Sequence, residues 1–104
     1  MILGQGIERI LAYTDPVNMR KSFDGLLGLI QGRLEEDPLS GTLYVFFNRR
    51  RNYMKGIIWH RTGYVLVAKR LERGKYYFQG RERVQEWTGQ VFALILDGIK
   101  LGME

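Results

Sequence analysis

The chain has no cysteine among its 104 residues, which excludes a disulfide framework, thiol catalysis and Cys-based zinc sites. It has one histidine, His60, so a His-rich metal cluster or a Ser-His-Asp triad finds little support. No apolar run approaches membrane-spanning length. The first residues, Met1 to Gly6, lack the charged start and long apolar middle of a secretion signal. The expectation is a cytoplasmic protein with no metal, no cofactor and no membrane partner. Acidic residues are scarce where basic ones are dense. Residues 49–83 hold eleven Lys or Arg against two acids, Glu72 and Glu82. The rest of the chain holds five basic residues against nine acidic, and the two parts together make the net charge of +5. Such asymmetry is the footprint of a surface for nucleic acid or an acidic partner.

An apolar content of 45% is ordinary for a folded protein, and the length fits one domain, 1–104, with a single modest core. The organising stretch is residues 42–73. Residues 42–47 (Thr-Leu-Tyr-Val-Phe-Phe) put Leu43, Val45 and Phe47 on one face of a strand and Tyr44 and Phe46 on the other. Apolar residues on both faces place this strand centrally in a sheet. Asn48-Arg49-Arg50-Arg51-Asn52 then interrupts the run. Three adjacent guanidinium groups are too costly to bury together and belong at an exposed hairpin tip. Residues 53–60 return as a second strand. Arg61-Thr62 turns the chain, with Gly63 supplying a positive φ, and residues 64–68 form a third strand.

Upstream, residues 7–13 read as a first strand, with a short helix as the alternative. A helix follows, capped by Asp15 with Pro16 behind it, or by Asn18. Its stripe is Met19, Phe23, Leu26, Leu27, Ile30 and Leu34, at intervals of three and four. Gly25, Gly28 and Gly32 either let this helix lie close to the sheet or merely loosen it. Glu35-Glu36-Asp37-Pro38 closes it. Downstream, residues 75–78 and 84–87 read as a strand pair. Residues 91–96 read as a helix or a buried strand, with Thr88 as cap and Gly98 as terminator favouring the helix. The expected fold is α+β: a mainly antiparallel sheet on a central meander, packed by one long N-terminal helix and a short C-terminal helix. Its core is expected to contain Phe23, Leu26, Ile30, Tyr44 and Phe46.

Three groups of residues then carry a resemblance. They are Asp15-Pro16-Val17-Asn18-Met19-Arg20-Lys21-Ser22-Phe23-Asp24-Gly25-Leu26 and Asp37-Pro38-Leu39-Ser40-Gly41. The third is Val45-Phe46-Phe47-Asn48-Arg49-Arg50-Arg51 with Lys55, Trp59 and Lys69-Arg70-Leu71-Glu72-Arg73-Gly74. In order and spacing, residues 14–74 resemble the TnpB-like accessory protein of the insertion sequence 66 transposon family, the product of a short second open reading frame. Asn18 departs from the family's usual aspartate, and His60 from an acidic residue common after the tryptophan. The resemblance implies a small helper in DNA transposition, encoded beside a separate transposase. It transfers no catalytic residues, and the residues themselves argue against an enzyme.

Two functions remain. One is a grip on DNA phosphates through Arg49, Arg50, Arg51 and Lys55, with Lys69, Arg70 and Arg73. The other is an adaptor docking on the transposase through Tyr53, Trp59, Tyr76 and Tyr77. Arg20 and Lys21 are placed in the first turns of the helix, where the dipole disfavours cations. With Ser22 they would form a pocket for an anion, or Arg20 would pair with Asp24. The acidic cluster Glu35, Glu36 and Asp37 reads as a solvated face rather than a metal site.

Overall fold

The computed structural model describes residues 7–100. In chain order the elements are β1 (Ile10–Tyr13), α1 (Phe23–Gly32), β2 (Leu43–Phe47), β3 (Tyr53–His60), β4 (Gly63–Arg70), β5 (Val84–Trp87) and α2 (Gly89–Leu96). They build one five-stranded sheet in the order β4-β3-β2-β1-β5.

Every residue of β2 is buried, as befits a strand apolar on both faces, and it lies at the middle of the sheet. Leu43, Val45 and Phe47 pack with Ile10, Met54 and Ile58 under Phe92 and Ile95 of α2. Tyr44 and Phe46 pack with Leu11, Tyr13 and Ile57 under Leu26 and Ile30 of α1. The two helices therefore cover opposite faces, and the molecule is three layers deep.

The sheet is mixed, which corrects the mainly antiparallel expectation. β1 runs parallel to β2, pairing Ile10 with Leu43 and Tyr13 with Phe46. Parallel neighbours need a crossover connection, and α1 supplies it. The long N-terminal helix is absent. α1 has ten residues and follows β1. Neither Asp15 nor Asn18 caps it. Asn18 Oδ1 instead accepts the Arg20 N–H at 2.8 Å, and the Asn18 carbonyl accepts the Lys21 N–H at 3.1 Å. This side-chain turn competes with helix and defers the start to Phe23, behind Ser22.

At its other end the Leu34 N–H reaches back to Leu29 at 3.1 Å and the Glu36 N–H to Ile30 at 3.0 Å, with Glu35 at φ +54. Leu34 is still buried, on the turn that closes the helix. Of the apolar stripe, Leu26, Ile30 and Leu34 are buried, and Leu34 lies beyond the helix. Phe23, expected in the core, is 43% exposed, and the inward stripe starts at Leu26. Gly28 and Gly32 do not bring α1 against the sheet: a methyl on either would meet nothing within 4 Å.

β3 and β4 pair along their whole lengths. Arg61, at φ +56, takes the left-handed position in their turn, a role expected of Gly63. Residues 75–78 are not a strand; β5 pairs antiparallel with β1 instead. Residues 91–96 are helical, the Thr88 hydroxyl accepting the Val91 N–H at 3.1 Å and Gly98 at φ +75 ending α2.

Candidate functional site

The topology puts one set of connections together. β1 and β2 finish, β3 begins, β4 finishes and β5 begins at the same end of the sheet. The connecting segments 14–22, 48–52 and 71–83 therefore meet there. They carry nine Lys or Arg against three acids, whereas segments 33–42 and 61–62 at the opposite end carry two against three. The opposite end also holds the Arg9 network, in which the Glu36 carboxylate at 2.9 Å and Glu86 at 3.4 Å raise the Arg9 pKa. The polarity of the molecule is a property of its sheet order.

The hairpin tip is internally braced. The Asn48 side-chain oxygen accepts N–H bonds from Asn52 and Tyr53, both at 3.0 Å, and its amide donates to Asn52 Oδ1 at 2.7 Å. Arg51 donates its N–H to the Asn48 carbonyl at 3.1 Å and sits at φ +56, a conformation that L residues avoid. From there its guanidinium turns back over the Phe78 ring, 4.0 Å from the centroid, and its carbonyl accepts the Tyr76 N–H at 2.6 Å. Arg51 is therefore part of the packing and not of the open tip. Phe78 in turn lies 4.7 Å from Phe47 and 5.4 Å from Trp87, centroid to centroid, so the tip is anchored to the α2-side core.

Arg49 and Arg50 are exposed. They line a cleft of about 450 Å³ with Asn48 on one side and Pro16, Val17, Asn18 and Met19 on the other. The bond from the Val17 N–H to the Phe47 carbonyl, 2.9 Å, fixes the two walls against each other. Arg20 and Lys21 follow directly on this wall, exposed and without an ion pair among the described residues. They precede α1 rather than occupying its first turn, so the unfavourable dipole position inferred from the sequence does not exist. Ser22 makes no side-chain capping bond, and Arg20 does not pair with Asp24.

The remaining candidates divide. Lys55 donates from Nζ to the Lys21 carbonyl at 2.8 Å, tying β3 to the segment before α1. Lys69 donates to the Leu96 carbonyl at 2.8 Å, 3.9 Å from Asp97, and so closes the negative end of α2. Neighbouring strand positions face opposite ways, so Lys69 and Arg70 do not act on one surface. Arg70 pairs with Glu72 at 3.2 Å, and Arg73 is exposed.

Sequence reasoning did not single out Lys75, Arg81 and Arg83, which belong to the same end. Arg83 pairs with Asp15 at 2.8 Å. Only their place in the basic stretch signalled them. Of the aromatics considered for docking, Tyr76 is fully buried, donates its hydroxyl to the Lys69 carbonyl at 2.7 Å, and has its pKa pushed up to about 12 by burial. His60 is the exposed last residue of β3. No group of three or more His, Asp or Glu among the described residues is placed to hold a metal. No described helix is long and apolar enough to cross a membrane.

Comparison with known proteins adds the lineage. An uncharacterized protein of Sinorhizobium fredii, y4jC, is 32% identical over 92 residues, covering 88% of this chain and 79% of the relative. A second from the same organism, y4hO, is 34% identical over 79 residues, 76% of this chain and 68% of the relative. No solved structure gives a significant match. Residues 8–103 match the family described as IS66 Orf2 like protein, a span wider than the residues 14–74 that carry the resemblance in sequence. The chain belongs to the IS66 Orf2-like family of insertion-sequence proteins.

Proposed function

We propose that this chain is a non-catalytic accessory protein for transposition of its insertion sequence, acting in the cytoplasm by holding DNA phosphates at the basic end of the sheet. The observation that carries this reading is the placement of Arg20 and Lys21 at the same end of the sheet as Arg49 and Arg50, which line the open cleft, all four exposed and without an ion pair among the described residues. Arg73 extends the same end. Lys55, Lys69, Arg70 and Arg51 already serve the protein's own carbonyls, carboxylates or rings, and their part is to shape the surface. No helix-turn-helix or zinc-finger element is present to read bases among the described residues, so binding is to phosphates with little sequence preference.

Binding to random duplex DNA at two salt concentrations tests the proposal. If Arg20, Lys21, Arg49 and Arg50 neutralise about four phosphates, raising salt from about 50 to about 200 mM should weaken binding on the order of a hundredfold. Replacing Arg49 and Arg50 together by alanine should reduce the logarithmic slope by about two while leaving the fold intact. Affinity indifferent to salt would instead favour docking on the element's transposase, measured in parallel.

A further inference from the structure

The two edges of the sheet are built differently. β5 is four residues long and carries Gln85 and Glu86 between its ends, the short and charged design that keeps an edge from pairing. β4 is eight residues long, and Tyr64-Val65-Leu66-Val67-Ala68 within it contains no charge, no proline and no glycine.

The β4 edge also has free backbone groups. The Leu71 N–H bonds to the Asn52 carbonyl at 2.7 Å, next in register after Arg70 and Tyr53. Bonded and non-bonded pairs alternate along an antiparallel ladder. Odd-numbered residues of β4 therefore turn their backbone toward β3, and Tyr64, Leu66 and Ala68 turn theirs outward. Those outward N–H and C=O groups have no partner among the described residues. The side chains repeat the pattern: Tyr64, Val65, Leu66 and Val67 are each left partly exposed, whereas Ile57 and Ile58 beside them on β3 are buried.

We propose that this edge is the interface for a second copy of the chain, joined β4 to β4 in antiparallel register about a two-fold axis near Leu66. Charge selects this arrangement. A parallel pairing would set Lys69 and Arg70 against their own copies. The antiparallel one sets Lys69 opposite the partner's Gly63 and Arg70 opposite the partner's Thr62, with Arg61 displaced to a diagonal position, and leaves Val65, Leu66 and Val67 at the axis. Like charges directly opposite destabilise a strand pair, and opposed apolar pairs stabilise it. The two sheets then become one, with the basic ends pointing in opposite directions. This inference is independent of DNA binding.

Sedimentation of the full chain without DNA tests it. The chain should be a dimer at micromolar concentration. Ala68→Pro removes an outward N–H without touching the β3 ladder, as proline on an edge strand is tolerated. Losing the two bonds it makes across the axis should weaken self-association about thirtyfold. Circular dichroism checks that this variant is folded. Should it unfold, Leu66→Lys and Leu66→Glu serve instead. Each alone should be monomeric, and an equimolar mixture should restore the dimer. A wild-type chain that stays monomeric, a folded Ala68→Pro that dimerises as well as wild type, or no recovery in the mixture would overturn the proposal.

Discussion

The Arg51 guanidinium lies 4.0 Å above the Phe78 ring while the Arg51 backbone holds a left-handed φ of +56. An arginine is a poor choice for that conformation, which costs an L residue roughly 1–2 kcal/mol. The stacking and the bond to the Tyr76 N–H offset the cost. Arg51→Ala should therefore destabilise the protein by about 1 kcal/mol in urea, because it keeps the strain and loses the stack. Arg51→Gly should cost less, since glycine removes the strain. Equal losses would show that the left-handed turn is not under strain.

The helix core can be tested by a pair of substitutions. Leu26 is fully buried, so Leu26→Ala should cost about 2–5 kcal/mol. Phe23, at 43% exposure, should tolerate alanine at under about 1 kcal/mol. Chemical denaturation of both variants reads the difference.

Gly28 and Gly32 sit in α1 with open space where a side chain would project. Alanine lowers the entropy of the unfolded chain and favours helix. Gly28→Ala and Gly32→Ala should each stabilise by roughly 0.5–1 kcal/mol, seen as a rise in Tm. A fall in Tm would mean that these glycines serve a contact.

Tyr76 gives an alkaline signature. Burial pushes its pKa from 10.0 up to about 12. The neutral form is thus favoured by the folded state. Its stabilisation is complete below the unfolded value and is lost as pH climbs from about 10 through about 12. Stability should fall over that window. Tyr76→Phe should remove this part of the fall, at the cost at neutral pH of the 2.7 Å bond to the Lys69 carbonyl. Urea titrations at successive alkaline pH values measure both effects.

Much of this protein could be read from its residues because the signals were local. A strand apolar on both faces, Leu43–Phe47, has to lie inside a sheet. Thr88 and Gly98 mark the ends of α2 by side-chain and backbone preference alone. Arg49 and Arg50 cannot be buried as neighbours, and they are not. Membership in the family was legible too, in the order and spacing of short motifs.

What stayed hidden depended on partners far away in the chain. The order of strand, helix and strand over residues 10–47 permits a parallel pair, but it takes the register of β1 against β2 to decide it. The Asn18 turn that shortens the helix is a local competition whose outcome tertiary burial decides. Arg51 looks identical to Arg49 and Arg50 in sequence; only Phe78, brought back by the 71–83 segment, sets it apart. The site shows the same division. Composition determined that the protein has a basic region. The tertiary structure decided that Arg20 and Lys21 share an end with Arg49 and Arg50, because parallel pairing of β1 with β2 brings the segments after both strands to the same end of the sheet.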